Sequence, residues 1–300
     1  MAGSAVLSLA QSDDYRIPDG WDMGRNLHIL TSHKERIQRI HLIRVLADIW
    51  RERGDEISFG ETPLRHTDAT IVHTDYSQVD VAFLNLATPG VPLINGNAIN
   101  ILKSNVSQML LAPDSKWDGP VLIKTNANAH AGEEYAYHGL DVPRLLKIFA
   151  GRVIPWQWTG ELPFRQYPIL DSMRHVPQWV WDDNRVVVEK FRPERDGELY
   201  VLRLWMFFGD KGYCMKVCGE LPIVKSRKLV SVDLVNDVPP EVVAVRKKLG
   251  LDFGKIDFVM HDGKALVFDV NKTPTVFLNK QSKPGTFVRS LADGLDGLLK

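Results

Sequence analysis

The run from Gly254 to Pro274 constrains this chain more than any other stretch, because it threads three oxygen-bearing side chains through two apolar segments of strand composition. Ile256–Met260 and Ala265–Val270 are rich in Val, Ile and Phe, and His261-Asp262-Gly263-Lys264 between them is a turn signal, so the segment predicts a β-hairpin. Side chains alternate along a strand. Ile256, Phe258 and Met260 therefore share one face of the first strand, and Leu266, Phe268 and Val270 one face of the second. A loop with an odd number of residues, His261-Asp262-Gly263 with Gly263 left-handed, packs these six together and sets Asp257, Asp269 and Asn271 on the opposite face. A two-residue Asp-Gly turn would oppose Asp257 to Phe268, so the pattern favours the odd loop.

Two carboxylates and an amide oxygen on one face make a hard, oxygen-only cluster. Such a cluster suits Mg²⁺, which takes one or two carboxylates and fills its octahedron with phosphate oxygens and water. The plainer reading is that the acids solvate one side of a hairpin. Asp is disfavoured in strands, and two of them within apolar runs weigh against that reading.

The remaining composition bounds the class of protein. A chain of 300 residues predicts roughly two domains with a sizeable core, and 44% hydrophobic with 25% charged residues is ordinary for a soluble globular protein. Thirty-seven basic residues balance thirty-seven acidic ones, with no basic run to neutralise a nucleic-acid backbone. Cys214 and Cys218 are the only cysteines, which argues against a disulfide framework or a zinc site and for a reducing compartment. The first ten residues lack a basic segment and a long apolar core, and no apolar run approaches the roughly 20 residues a bilayer requires. The expectation is a cytoplasmic protein without nucleic-acid or membrane partners; no motif sets its oligomeric state, for which a homodimer is the commonest arrangement.

Along the chain, Leu27–Leu30 reads as a buried strand, and an amphipathic helix is predicted from Lys34 to Arg53 with Ile37, Ile40, Ile43, Leu46 and Ile49 on one stripe. Ala69–Val72 and Val81–Asn85 read as strands, giving a small α/β domain over residues 1–96. A helix is predicted from Ala98 to Leu111, and Val121–Lys124 is a strand opening into a small-residue loop, Thr125 to Glu134. Residues 151–184 are rich in Trp and Pro and show little periodicity. Strands are predicted at Arg185–Phe191 and Leu199–Phe208, joined by a polar turn, and helices at Pro240–Leu249 and Val288–Leu299. The expected division is 1–96, 97–188 and 189–300.

Neither common glycine-rich phosphate cradle occurs, so a nucleotide site must be built otherwise. The order of elements is informative. A Lys in an early helix and a Lys ending a strand before a small-residue loop are followed by the strand Val-Val-Val-Glu-Lys-Phe, an Arg in a long strand, and an acidic hairpin closing Asp-Val-Asn. Over about residues 27–276 this order resembles the ATP-grasp superfamily, of the RimK-like and glutathione synthetase-like kind. The resemblance implies an α+β ATP-grasp fold: a small N-terminal domain followed by two α+β subdomains enclosing ATP.

By the same resemblance, Asp257, Asp269 and Asn271 are the metal ligands. Many members carry Glu at the position of Asp269, one methylene longer, which shortens this chain's reach for bridging two ions. Lys103 and Lys124 are directed at the nucleotide phosphates, and Thr125 to Gly132, with His130 inside it, matches the flap over them. Glu189, Lys190 and Phe191 form the hinge strand, where the main chain of Lys190 and Phe191 meets adenine, and Glu198 is the acid for the ribose hydroxyls. Arg203, with Lys124, carries catalysis by meeting the transferred phosphate; Lys216 and Arg227 are weaker members of the same anionic cluster. Acceptor recognition is expected around Thr31, Ser32, His33 and Asn85, and Arg165, Arg174 and His175 are candidates for a substrate carboxylate.

The implied reaction is ATP- and Mg²⁺-dependent amide formation between a small-molecule carboxylate and an amine, through an acyl phosphate. Phosphoryl transfer depends chiefly on positioning and charge neutralisation, so lysines, an arginine and a metal suffice without a side-chain nucleophile. Two alternatives stay open: a kinase of the same fold, and a nucleotide-binding scaffold without turnover. Of eight tryptophans, those between Trp156 and Trp181 either wall an apolar substrate pocket or fill a core.

Overall fold

The computed structural model describes residues 24–32, 37–38, 40–63, 66–128, 142–151, 153–163, 166–224, 228–276 and 285–299. Three sheets organise them. The first is parallel, with β1 (Asn26–Leu30), β2 (Glu56–Gly60), β3 (Ala69–Val72) and β4 (Leu93–Ile94) in the order β2-β1-β3-β4. Helix α1 (Leu42–Glu52) crosses from β1 to β2 and buries Ile43, Leu46, Ile49 and Trp50 against Leu27, Ile29 and Ile71. The predicted stripe is correct from Ile43 onward, but the helix starts eight residues late: Ile40 precedes it and is exposed. Val81–Asn85 is not a strand. The Asp80 side chain accepts the Ala82 N–H at 2.9 Å, an N-cap that starts the short helix α2 (Val81–Leu84), none of whose residues is buried.

Instead of a helix from Ala98 to Leu111, only α3 (Lys103–Val106) forms. Asn126 fixes its start: its carbonyl accepts the Lys103 N–H at 2.9 Å and its side chain the Ser104 N–H at 2.9 Å. The second sheet, antiparallel, has β5 (Val121–Thr125) between β6 (Ile169–Leu170) and β7 (Val186–Lys190). Three helices belong to this region, α4 (Val142–Ala150), α5 (Trp156–Thr159) and α6 (Gln178–Asp182). Val121, Ile123 and Val188 face away from the centre of the molecule into a core with Val180 and parts of Trp117, Trp156, Trp179 and Trp181. The Trp-rich segment therefore backs the small sheet, Trp158 is 84% exposed, and none of its tryptophans lines the cleft between the two antiparallel sheets.

The third sheet has six strands, β8 (Glu194–Asp196), β9 (Leu199–Phe208), β10 (Lys211–Gly219), β11 (Leu229–Val235), β12 (Phe253–His261) and β13 (Lys264–Asn271). Its order is β11-β10-β9-β12-β13, with β8 paired to β9. Helix α7 (Pro240–Leu249) covers one face through Val242, Val245 and Leu249, packed on Trp205, Phe207, Ile256 and Phe258. Helix α8 (Thr286–Leu298) joins the sheet to the first domain, with Leu291 and Leu295 beside Trp50 and Phe208. Close approach there needs glycine, because a Cβ on Gly294 would meet the Phe208 carbonyl oxygen at 1.9 Å.

The hairpin β12–β13 corrects the loop expected from sequence. The turn is the two-residue Asp262-Gly263, with φ of 52° and 76°, and His261 pairs with Lys264. The extra residue lies instead within the second strand. Phe258 pairs with Val267 but Asp257 pairs with Asp269, so Phe268 is a β-bulge. The bulge returns Asp257, Asp269, Lys255 and Asn271 to one face, as the odd loop would have, while the core takes Ala265, Val267 and Val270. Leu266 and Phe268, expected in that core, are only half-buried and are not part of it.

Candidate active site

A cleft of about 310 Å³ lies between the small antiparallel sheet and the six-stranded sheet. Alternation along β5 and β7 places Leu122, Lys124 and Glu189 on its upper wall. The lower wall comes from Leu202 of β9 and from Asp257, Val259, Phe268 and Asp269 of the hairpin. Lys103 enters from α3, and the connection Lys190–Pro193 closes one end.

Three lysine–carboxylate pairs occupy the charged end. Lys124 Nζ lies 2.7 Å from Glu189 Oε2, Lys255 Nζ 2.9 Å from Asp257 Oδ2, and Lys103 Nζ 3.4 Å from Asp269 Oδ1. Lys124 also rides over the Phe268 ring at 4.7 Å. Lys103 donates further to Ala127 O at 3.2 Å and Asn128 Oδ1 at 2.9 Å, which ties it to the start of the predicted flap. Each carboxylate nevertheless keeps one buried oxygen without a hydrogen bond: Glu189 Oε1, Asp257 Oδ1 and Asp269 Oδ1. Burial pushes the Asp257 carboxyl up, and Asp269 opposite adds to the rise against the pull of Lys255 and Lys124. For Lys255, burial works against the ammonium, but the charge and hydrogen bond of Asp257 together with the charge of Asp269 outweigh it, and the pKa is raised.

Buried oxygens short of donors, on two directly opposed aspartates, fit a divalent cation. The two carboxylates would hold Mg²⁺ beside phosphate oxygens neutralised by Lys103 and Lys124. Among the described residues no group of three or more His, Cys, Asp or Glu could hold a metal unaided, so phosphate and water oxygens must complete the shell.

Other expected site residues lie elsewhere. Asn271 shares the aspartates' face, but its Oδ1 accepts the Thr273 N–H at 2.7 Å, an Asx-type turn that draws the amide away from the cleft lining. Arg203 pairs with Phe258, whereas Asp257 pairs with Leu204, so Arg203 projects from the α7 side of the sheet. There it binds Glu194, 2.7 Å away at the closest. Lys216 opposes Arg203 and pairs with Asp196 at 2.6 Å. Glu198 is fully exposed in the β8–β9 turn beside Arg195, too far out to line the cleft. The Lys190 and Phe191 N–H groups are spent on Met109 O (2.8 Å) and Pro120 O (2.9 Å), so neither donates to a base. His33, His130, Arg165 and Arg227 lie outside the described residues. Asn85 and the turn with Arg174 and His175 are exposed.

No family profile matches the sequence, and no curated protein matches it. Solved structures do. The ATP-grasp ligase PsnB complexed with a minimal precursor is similar at a TM-score of 0.51 and 11% identity, over 92% of this chain and 100% of that one. The macrocyclase MdnC bound with precursor peptide MdnA from Microcystis aeruginosa MRC is similar at 0.51 and 10% identity, over 89% and 98%. A second PsnB complex, containing Mg and ADP, is similar at 0.50 and 11% identity, over 93% and 100%.

The chain has an ATP-grasp fold.

Within this ATP-grasp fold two residues escape sequence reasoning: Tyr167, which lines the cleft, and Lys255, which pairs with Asp257 at its edge. Lys255 stands two residues before Asp257, a spacing that alone puts it on the same strand face. Tyr167 comes from the aperiodic segment and carries no such signal; burial, followed by the charge of Asp269, raises its pKa, and it shares a hydrogen bond with Thr125. A second polar cluster gathers at the carboxyl ends of β1 and β3. Thr31, Ser32, His73, Thr74, Lys272 and Thr273 are all buried there, and Thr273 bonds Asp75. Both ring nitrogens of His73 lack partners, and burial, followed by the charge of His41, pushes its pKa down to about 3. No helix among the described residues is long and apolar enough to cross a membrane.

Proposed function

We propose that this protein is an ATP-dependent ligase that joins a carboxylate to an amine and releases ADP and phosphate. The observation that carries the reading is the set of three closed ion pairs, Lys103–Asp269, Lys124–Glu189 and Lys255–Asp257, on facing walls of one cleft, each carboxylate still short of a donor. The Lys103 and Lys124 pairs are poised to exchange partners, while Lys255 remains beside Asp257. Phosphate oxygens would take Lys103 and Lys124, and Asp257 and Asp269 would hold Mg²⁺, which when bound supplies charge neutralisation at the phosphoryl oxygens.

The apolar end, with Leu122, Met109, Val201, Leu202 and Ile223, suits a purine ring. With the Lys190 and Phe191 N–H groups occupied, the Arg192 N–H is the next main-chain donor at that end. In the reaction a carboxylate oxygen bonds to the γ-phosphorus while the bond to the β–γ bridging oxygen breaks and ADP departs. The amine nitrogen then bonds to the acyl carbon, the carbon–oxygen bond to phosphate breaks, and the nitrogen loses its proton. Lys103 and Lys124 stabilise the charge that shifts among the phosphate oxygens. The polar cluster at the β1 and β3 ends is the nearest set of groups for orienting an acceptor. PsnB and MdnC were each captured with a precursor, so peptides are the first acceptors to screen.

The test couples ADP and phosphate assays over a panel of peptides and small carboxylate–amine pairs. Release of both products in equal amounts supports a ligase, and ADP with phosphate retained on the product would indicate a kinase instead. Asp269→Ala should lower ADP formation by at least about 100-fold, the scale of losing one electrostatic stabiliser of the transition state. Full turnover by that variant would sink the proposal.

A further inference from the structure

Lys255 and Thr273 already hold oxygens that a pair of metal ions would require. Lys255 projects from the same strand face as Asp257 and pairs across the hairpin with Asn271. Its ammonium lies 2.9 Å from Asp257 Oδ2. Asn271 Oδ1 accepts the Thr273 N–H at 2.7 Å and lies 3.1 Å from the Thr273 hydroxyl, which also bonds Asp75. One aspartate oxygen is therefore held by a fixed cation and the only amide oxygen by a turn. The buried oxygens left without a hydrogen bond are Asp257 Oδ1, on a residue 7% exposed, and Asp269 Oδ1, which has only the Lys103 ammonium at 3.4 Å.

Charge points the same way. Asp257 and Asp269 together carry two negative charges, and Lys255 cancels one of them from within the protein. Lys103 cancels the other only at 3.4 Å and has alternative partners in Ala127 O and Asn128 Oδ1, so a phosphate can draw it away. Among the described residues Lys255 pairs with Asp257 alone, and it stays.

Building on the nucleotide reading above, we propose that this site takes one divalent cation per nucleotide, with the Lys255 ammonium standing as a built-in counter-cation where a second ion would need charge. Lys255 is thus a positioning residue for Asp257, leaving Oδ1 as its single metal-facing oxygen.

Mn²⁺ titrated by electron paramagnetic resonance, with and without a non-hydrolysable ATP analogue, tests this on the full chain. The wild type should bind one Mn²⁺ per chain at saturating analogue; two would overturn the proposal. Without nucleotide, Lys255→Gln, which removes the charge and keeps an amide donor, should bind Mn²⁺ roughly tenfold tighter than wild type. Unchanged affinity in folded Lys255→Gln overturns the role of Lys255, and Lys255→Met provides the same comparison if the first variant does not fold. Calorimetry of the analogue runs alongside. If the analogue fails to bind, the nucleotide reading falls, and the Mn²⁺-alone comparison still decides the claim about Lys255.

Discussion

The two faces of the six-stranded sheet treat buried charge in opposite ways. Toward α7, Arg203 and Glu194 close on each other: Arg203 Nε donates to both carboxylate oxygens at 3.0 Å, and Glu194 Oε2 also takes the Met260 N–H at 2.8 Å. Toward the cleft, Asp257 Oδ1 is buried with no donor, and buried Asp269 Oδ1 has only the Lys103 ammonium at 3.4 Å and no hydrogen bond. A carboxylate whose two oxygens both have donors inside the protein serves the sheet. A carboxylate held short of donors in a cleft is prepared for a ligand. Residue type alone separates neither case; the number of satisfied oxygens does.

Three experiments probe that distinction. The largest effect belongs to the cleft: Lys124→Met leaves Glu189, 1% exposed, without its cation, which should lower stability by about 3–5 kcal/mol in urea unfolding. Binding of an ATP analogue should weaken by roughly 10- to 100-fold in the same variant, the loss of one charge-assisted contact. Next, Arg203→Leu should cost about 2 kcal/mol of stability, between the values for surface and fully buried pairs, yet leave analogue affinity within about twofold. A large affinity loss in Arg203→Leu would erase the contrast between the faces.

The smallest effect concerns His73, an unsatisfied group outside the cleft. Its folded pKa is depressed from the ordinary histidine value to about 3, so below pH 6.5 the unfolded chain binds a proton that the folded chain does not. Stability is therefore lost as pH falls from about 6.5 toward 3, by at most about 1.4 kcal/mol per pH unit from this group. His73→Leu should flatten the fall in urea midpoint between pH 7 and pH 5.5. An unchanged slope would mean that His73 finds a partner as the pH falls.

The shared face of Asp257 and Asp269 is legible in the sequence, but its cause is not: the expected odd loop is a two-residue turn, and the bulge at Phe268 restores the pair. Lys124, at the end of an apolar strand, does line the cleft. Arg203, assigned to the phosphate by resemblance, sits on the other face of the sheet, because the phase of β9 depends on its pairing with β12, where Arg203 meets Phe258 rather than Asp257. That register is a long-range fact with no local signature. Val81–Leu84 shows the reverse, a local cap at Asp80 overriding strand-like composition. Glu198 and Tyr167 stand at opposite ends of the same difficulty. One is an acid in an exposed turn, the other a phenol delivered by an aperiodic segment, and only the packing of two sheets decides which of them meets the cleft.

The bulge at Phe268 makes the hairpin tolerant of a particular change in length. With Phe258 already opposite Val267, removal of Phe268 would leave Asp269 as the next residue, still opposite Asp257. A chain one residue shorter at this point would keep its aspartates in line, whereas an insertion or deletion between Lys264 and Val267 would turn them to the other side. Phe268 is thus dispensable for alignment, and its ring, lying under the Lys124 ammonium, can vary in presence and size as an independent floor tile of the nucleotide end while the acidic pair stays in register.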